Sequence, residues 1–169
     1  PVEFYCSIIN NRITKSDELK HYMGLAREHN IQILNPDVNK SMAYFAVEGV
    51  NIRFGLGGIK NVGVGLVQEL VAEREKNGPF TDLQDFINRM NSSQAHNKRF
   101  LESMILGGAF DCFGRPRSQL MAVYKTMVEQ SESDKKFQAN GQLSLFDSVL
   151  KVDQNANLVN YPNLEEYNQ

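Results

Sequence analysis

The sequence has no tryptophan, two cysteines and five prolines in 169 residues, and its net charge is only −2. Cys6 and Cys112 lie far apart and form no Cys-x-x-Cys pair, so they read as two buried thiols of a reducing compartment, with a disulfide the poorer reading. The small net charge excludes a grip on nucleic acid spread over the whole surface. Any such contact must be local or made by backbone amides. No apolar run is long enough to span a bilayer and no signal peptide opens the chain, so no membrane partner is expected. Two-metal phosphoryl chemistry needs paired carboxylates, and no Asp-x-Asp occurs. Asp82 with Asp85 and Glu73 with Glu75 read as helix-surface acids, and His21, His29 and His96 lack ligand spacing. No catalytic centre, metal or cofactor is expected in these residues.

What is present suits one medium domain or two small ones plus a tail. Pro1-Val2-Glu3-Phe4 is helix-like with no initiator methionine, and Leu164–Tyr167 reads as the start of another helix, so a segment of a longer protein is expected. Val2, Tyr5, Cys6 and Ile9 have helical spacing, as do Leu19, Tyr22, Met23 and Ala26, with Thr14 or Ser16 as the cap between and Asn30 as the end. Ile31–Leu34, Tyr44–Val47 and Asn51–Phe54 read as short strands, the last two joined by a turn at Glu48-Gly49. From residue 56 the pattern is helical, with a capping box at Thr81 and Gln84 and a first-turn proline at Pro116. Past residue 129 the apolar period is lost and a mobile linker is expected. The fold expected is mainly α with a small β-sheet near residues 31–55, divided as 1–55, 56–128 and 129–169.

Two features carry function. Residues 58–66, Gly-Ile-Lys-Asn-Val-Gly-Val-Gly-Leu, read as a helix-hairpin-helix. Glycines permit positive φ and close approach, and the next helix offers unpaired N–H groups that suit a phosphate. Lys60, Asn61, Gly63 and Gly65 would hold it, with Val62 and Val64 anchoring the turn. An ordinary αα-corner is an equal reading of this fragment. Gly55-Leu56-Gly57 is not a dinucleotide fingerprint, because Lys60 stands where the third glycine belongs. A second unit follows: a helix from Lys98 and Arg99, a turn at Gly107-Gly108, and a helix after Arg115-Pro116-Arg117. Its cations brace the other backbone of a duplex or form a solvated rim.

The other feature is Gln142-Leu143-Ser144-Leu145-Phe146, an apolar island in a polar stretch. Leu145 and Phe146 plugged into a partner pocket would contribute roughly 3–6 kcal/mol before ordering costs. Packing of the island back onto its own domain is the plainer alternative.

In combination these pieces resemble the alpha subunit of bacterial DNA polymerase III, a C-family replicative polymerase. The matching residues include Pro1-Val2-Glu3-Phe4, Ile33 through Ser41, Ile52-Arg53-Phe54-Gly55-Leu56, Ile59 through Gly63, Gly78-Pro79-Phe80, Asn97-Lys98-Arg99, Leu101-Glu102-Ser103, and Gly107 with Ala109-Phe110-Asp111. Asn35-Pro36 replaces the family's usual proline pair, a small change in a turn. The resemblance implies a region running from the end of the fingers into tandem helix-hairpin-helix elements that touch product duplex. It also implies that Gln142 through Phe146 bind the sliding clamp. The partners implied are double-stranded DNA, the clamp and the rest of the polymerase chain, in the bacterial cytoplasm. A free-standing helix-hairpin-helix module of a repair or recombination protein, and an interaction domain that never meets DNA, are the rival readings.

Overall fold

The computed structural model of the chain describes residues 1–92, 94–139 and 160–167. Helical spacing of apolar side chains builds α1 (Val2–Asn11), which buries Cys6 and Ile9, and α2 (Ser16–Glu28), which buries Leu19 and Ala26. Neither Thr14 nor Ser16 caps α2, whose N-cap residue is Lys15, with no side chain bonded to the helix start. Its other end closes as expected. Asn30 takes φ +61°, its amide returns to Arg27 and the Ile31 amide returns to Ala26, a Schellman closure with asparagine in the left-handed position.

Three strands follow: β1 (Ile33–Leu34), β2 (Ala46–Glu48) and β3 (Asn51–Arg53), in the order β1-β3-β2, with β1 parallel and β2 antiparallel to β3. β2 starts later than expected because the backbone of Phe45 is already engaged. Its N–H and C=O both pair with the Asn10 side-chain amide at 2.8 Å. Arg53 then locks the sheet, donating to both Glu48 carboxylate oxygens (2.6 and 2.7 Å) and to the Asn35 carbonyl (2.8 Å). Cys6, Ile9, Leu19, Ala26, Phe45 and Ile52 pack into the core beneath.

A larger core is shared by α3 (Val64–Asn77), α4 (Leu83–Arg89), α5 (Lys98–Leu106) and α6 (Arg117–Ala139). Phe86 lies at its centre, edge-on to Phe80 (5.0 Å) and Phe110 (4.9 Å). Arg74 on α3 reaches back to the carbonyls of Val38 and Ser41 (2.8 and 2.6 Å), and the Asn39 amide pairs with the backbone of Phe80. The sheet segment and the helices are thus stitched by polar contacts as well as by apolar ones.

Three local expectations shift. The expected capping box of Thr81 and Gln84 does not form: Asp82 is the cap of α4, accepting from the Asp85 amide (2.8 Å), while Asp85 accepts from the amide of Thr81, the residue before the cap (3.1 Å). Burial of Leu83, Phe86 and Ile87 sets that register. Pro116 precedes the first turn of α6 rather than lying within it. The helix then continues through residues 129–139, beyond the end of the apolar stripe, on residues with good intrinsic helix propensity. Cys6 is buried, whereas Cys112 is exposed on a single 3-10 turn, Asp111–Phe113, whose neighbour Phe110 points inward instead. Both cysteines are free. Among the described residues no helix is long and apolar enough to cross a membrane. Residues 160–167 form no helix; they lie against the start of α6.

Candidate nucleic-acid interface

The helix expected before the first turn is only a 3-10 turn, Leu56–Gly58. Its backbone is pinned before an α-helix can develop. The amides of Leu56 and Gly57 donate to the carbonyls of Met42 and Ala43 at 2.9 Å. Gly55 passes so close that a Cβ there would come within 2.4 Å of the Tyr44 carbonyl carbon. This close approach accounts for the Gly-Leu-Gly run.

The turn itself runs from Ile59 to Gly63, with the Val62 amide returning to the Ile59 carbonyl at 3.1 Å and the Val62 side chain buried. Val64 is partly buried against the same core. The positive φ belongs to Asn61 (+64°), not to a glycine. Gly63 is extended (φ −78°) and Gly65 lies in the first turn of α3. What the two glycines supply is an unobstructed front: a Cβ at either would meet no atom within 4 Å. No side chain caps α3, and its first backbone bond is made by the Val67 amide to Gly63. The amides of Val64, Gly65 and Leu66 therefore have no acceptor among the described residues. Positive helix-end potential, bare donors and the exposed Lys60 converge on one spot, which suits a phosphodiester oxygen. A groove of about 740 Å³ lies between this turn and the α1–α2 link, with Thr14 and Ser16 on its far wall.

The second unit is α5, a turn at Gly107-Gly108, and α6. It sits against the first: a Cβ on Gly107 would come within 3.0 Å of the Ile59 side chain, and the Asn61 amide donates to the Ser103 hydroxyl at 3.1 Å. Arg99 lies one turn before Ser103 on the same face of α5 and is exposed. Lys98 lies on the neighbouring face, 4.0 Å from Glu102, whose carboxylate also accepts from the Tyr124 hydroxyl at 2.6 Å. Burial first, then that bond to Glu102, pushes the Tyr124 phenol up. Among the described residues neither Lys60 nor Arg99 pairs with a carboxylate.

The other cations flanking the second turn are engaged. Arg117 grips Asp111 with two bonds (2.6 and 3.0 Å) and donates to the Leu106 carbonyl (3.0 Å), closing the end of α5. The Arg115 guanidinium stacks on Tyr161, 3.6 Å from the ring centre. The helix starts differ accordingly. Asn97 caps α5 by accepting from the Arg99 and Phe100 amides. Pro116 has no side-chain acceptor to offer α6, and Glu166 takes that role from 49 residues away, accepting from the Arg117 amide at 2.8 and 3.1 Å. Ser103, Glu166 and the Arg115–Tyr161 stack escaped the sequence reading, because contacts so distant along the chain leave no local pattern. The island Gln142, Leu143, Ser144, Leu145, Phe146 lies outside the described residues.

Short helices joined by tight turns, the first presenting uncapped amides, define a helix-hairpin-helix architecture. The helix-hairpin-helix motif family is matched over residues 30–120, more than half of the chain, and the chain belongs to that family. It is also homologous to part of proteins named DNA polymerase III subunit alpha. The relative from Borreliella burgdorferi is 35% identical over 167 residues, 99% of this chain and 14% of the relative. Those from Mycobacterium tuberculosis and Thermus aquaticus are each 38% identical, over 148 and 149 residues, 88% of this chain and 12% of each relative. The chain thus spans only a small share of the relatives it matches.

Proposed function

We propose that this chain is a non-catalytic segment of a bacterial replicative DNA polymerase that holds duplex DNA by its phosphates and docks on the sliding clamp. The observation that carries the reading is the glycine-fronted, uncapped start of α3 beside Lys60. Similarity over nearly the whole chain to proteins named DNA polymerase III subunit alpha supports it. In this reading residues 1–55 pack against the rest of the polymerase as the end of the fingers. Residues 56–128 hold the duplex, and residues 129–169 carry Gln142 through Phe146 to the clamp ring. Nucleotidyl transfer belongs to the parent enzyme, at work in the cytoplasm on the nucleoid, and no cofactor is assigned to this segment.

The division of labour follows from the chemistry. Amide and lysine contacts to phosphate fix position without reading sequence, so the duplex can advance past them. A peptide with two apolar anchors binds about micromolar at best when isolated. Tethering raises its effective concentration, so two weak contacts together give sliding without release. The test is a pair of titrations of the purified chain, one with mixed-sequence duplex and one with the sliding clamp of the same source. Salt-dependent duplex binding, with clamp binding that Leu145→Ala/Phe146→Ala abolishes, is expected. Duplex binding alone would reduce the chain to a plain DNA-binding module. Binding to neither duplex nor clamp would overturn the reading.

A further inference from the structure

We propose that residues 160–167 form an anionic latch on the second hairpin: the Glu166 carboxylate holds the place of a DNA phosphate at the start of α6, and duplex must displace it for that hairpin to engage. The inference rests on the phosphate-holding reading above and adds a competition within the same chain.

Three contacts seat the segment, and a further bond lies within it. Both oxygens of Glu166 accept from the Arg117 amide (2.8 and 3.1 Å), one of them also accepts from the Tyr167 amide (2.9 Å), the Ser118 hydroxyl donates to the Glu165 carbonyl, and Tyr161 covers the Arg115 guanidinium. A singly charged group with two exposed oxygens, set on a helix-start amide beside an arginine, offers the chemistry that a phosphodiester would offer there. The place also adjoins the first hairpin. Gly107 packs on Ile59 of the first turn, and Arg117 bonds the carbonyl of Leu106 next to Gly107.

The latch is built to leave. The caps of α4 and α5, Asp82 and Asn97, adjoin their helices in sequence and cannot depart without remodelling them. Glu166 comes from 49 residues away, so α6 can stay folded when it goes. The end of its segment is shallowly held, with Leu164 42% exposed and Tyr167 50%, whereas Tyr161 is partly buried against the helical core. Displacement would uncover the Arg117 amide, the Ser118 hydroxyl and Arg115 together, so the second hairpin would become a phosphate site only while duplex occupies the first.

The test uses the whole chain, as wild type and with Glu166→Gln, Glu166→Ala and Glu165→Gln. Fluorescence anisotropy with a mixed-sequence duplex is read across a salt series. Both Glu166 variants are expected to bind about fivefold tighter. Their salt slope should stay close to that of wild type, because the bound states make the same phosphate contacts once the latch is displaced. Glu165→Gln changes the net charge equally but leaves the Arg117 contact, and should match wild type. In amide-resolved NMR, duplex added to wild type should shift Arg117 and Ser118 and release Tyr167. Unchanged affinity in the Glu166 variants, or an equal gain in Glu165→Gln, overturns the latch while wild-type binding that depends on Lys60 leaves the phosphate reading standing. Absence of duplex binding by every variant overturns both.

Discussion

The Asn61 side-chain amide donates to the Ser103 hydroxyl at 3.1 Å, joining the first turn to α5. Asn61 is also the residue that takes the left-handed conformation in that turn. A short polar side chain tolerates such a backbone better than a branched one. With the sharp bend assigned to Asn61, Gly63 and Gly65 are left with no steric demand from their own fold, and their front is open.

Gly63→Ala and Gly65→Ala should therefore separate folding from binding. Gly65 lies inside α3, so alanine there is expected to raise stability by up to about 1 kcal/mol. Each methyl group would stand in front of the unpaired amides, and duplex affinity should drop about tenfold, roughly 1.4 kcal/mol. Thermal melts with anisotropy titrations read both. A rise in Tm without loss of affinity would remove the phosphate from the α3 start.

Lys60→Ala and Arg99→Ala should each weaken duplex binding uniformly across sequences and reduce the salt slope by about 0.9. Lys98→Ala should do less, because Glu102 already stands beside that ammonium group. Equal effects at Lys98 and Arg99 would show that the face bearing Ser103 is not the one turned to DNA.

Asn39 satisfies both backbone groups of Phe80, accepting from its amide and donating to its carbonyl at 2.8 Å, and Phe80 is 2% exposed. Asn39→Ala leaves two buried polar groups unpaired and is expected to cost about 2–3 kcal/mol. Urea unfolding should show a lower midpoint with an unchanged slope. A loss below about 1 kcal/mol would mean that water reaches Phe80 when the amide is gone.

Acid should destabilise the fold through three carboxylates. The Arg53 fork holds Glu48 below the usual carboxylate range, bonds from Asn77 and Arg89 do the same for Glu73, and the Arg117 amide does so for Glu166. A depressed folded value means that the unfolded chain takes up protons first as pH falls. The stabilisation is complete above the unfolded value, about 4.3, and is lost as pH drops through the folded ones. Tm measured at stepped pH should be level near neutrality and decline below about 4.5. Arg53→Ala should lower the plateau and flatten that decline, and an unaltered acid limb would exclude the Glu48 contribution.

Both thiols should be sluggish nucleophiles. Burial, with Glu3 adding to it, pushes the Cys6 thiol up. Cys112 is exposed as a residue, but desolvation of its sulfur, and next the charge of Asp37, push that thiol up to about 12. Only thiolate reacts, so alkylation of Cys112 at pH 8 should run on the order of a thousandfold slower in the native chain than in urea. Comparable rates would show that its sulfur faces water.

The helices, the short strands and the first hairpin were legible in the sequence, because each depends on local spacing. Leu66, Val67, Leu70 and Val71 fall on one side of a helix whatever lies beyond them, and all four are buried in α3. The Thr81 cap failed by one residue because two adjacent candidates differ only in which one the packing of Leu83 and Phe86 places at the helix start. The sequence by itself determined the helical family, the glycine-fronted turn and the positions of its cations. Tertiary structure alone decided which cations are spoken for. Arg53, Arg74, Arg89 and Arg117 bond carboxylates or carbonyls, several of them far away along the chain. Only the folded chain brings Glu166 to the start of α6, since an ionic or hydrogen-bonded partner is chosen by distance in space, which no period in the sequence records.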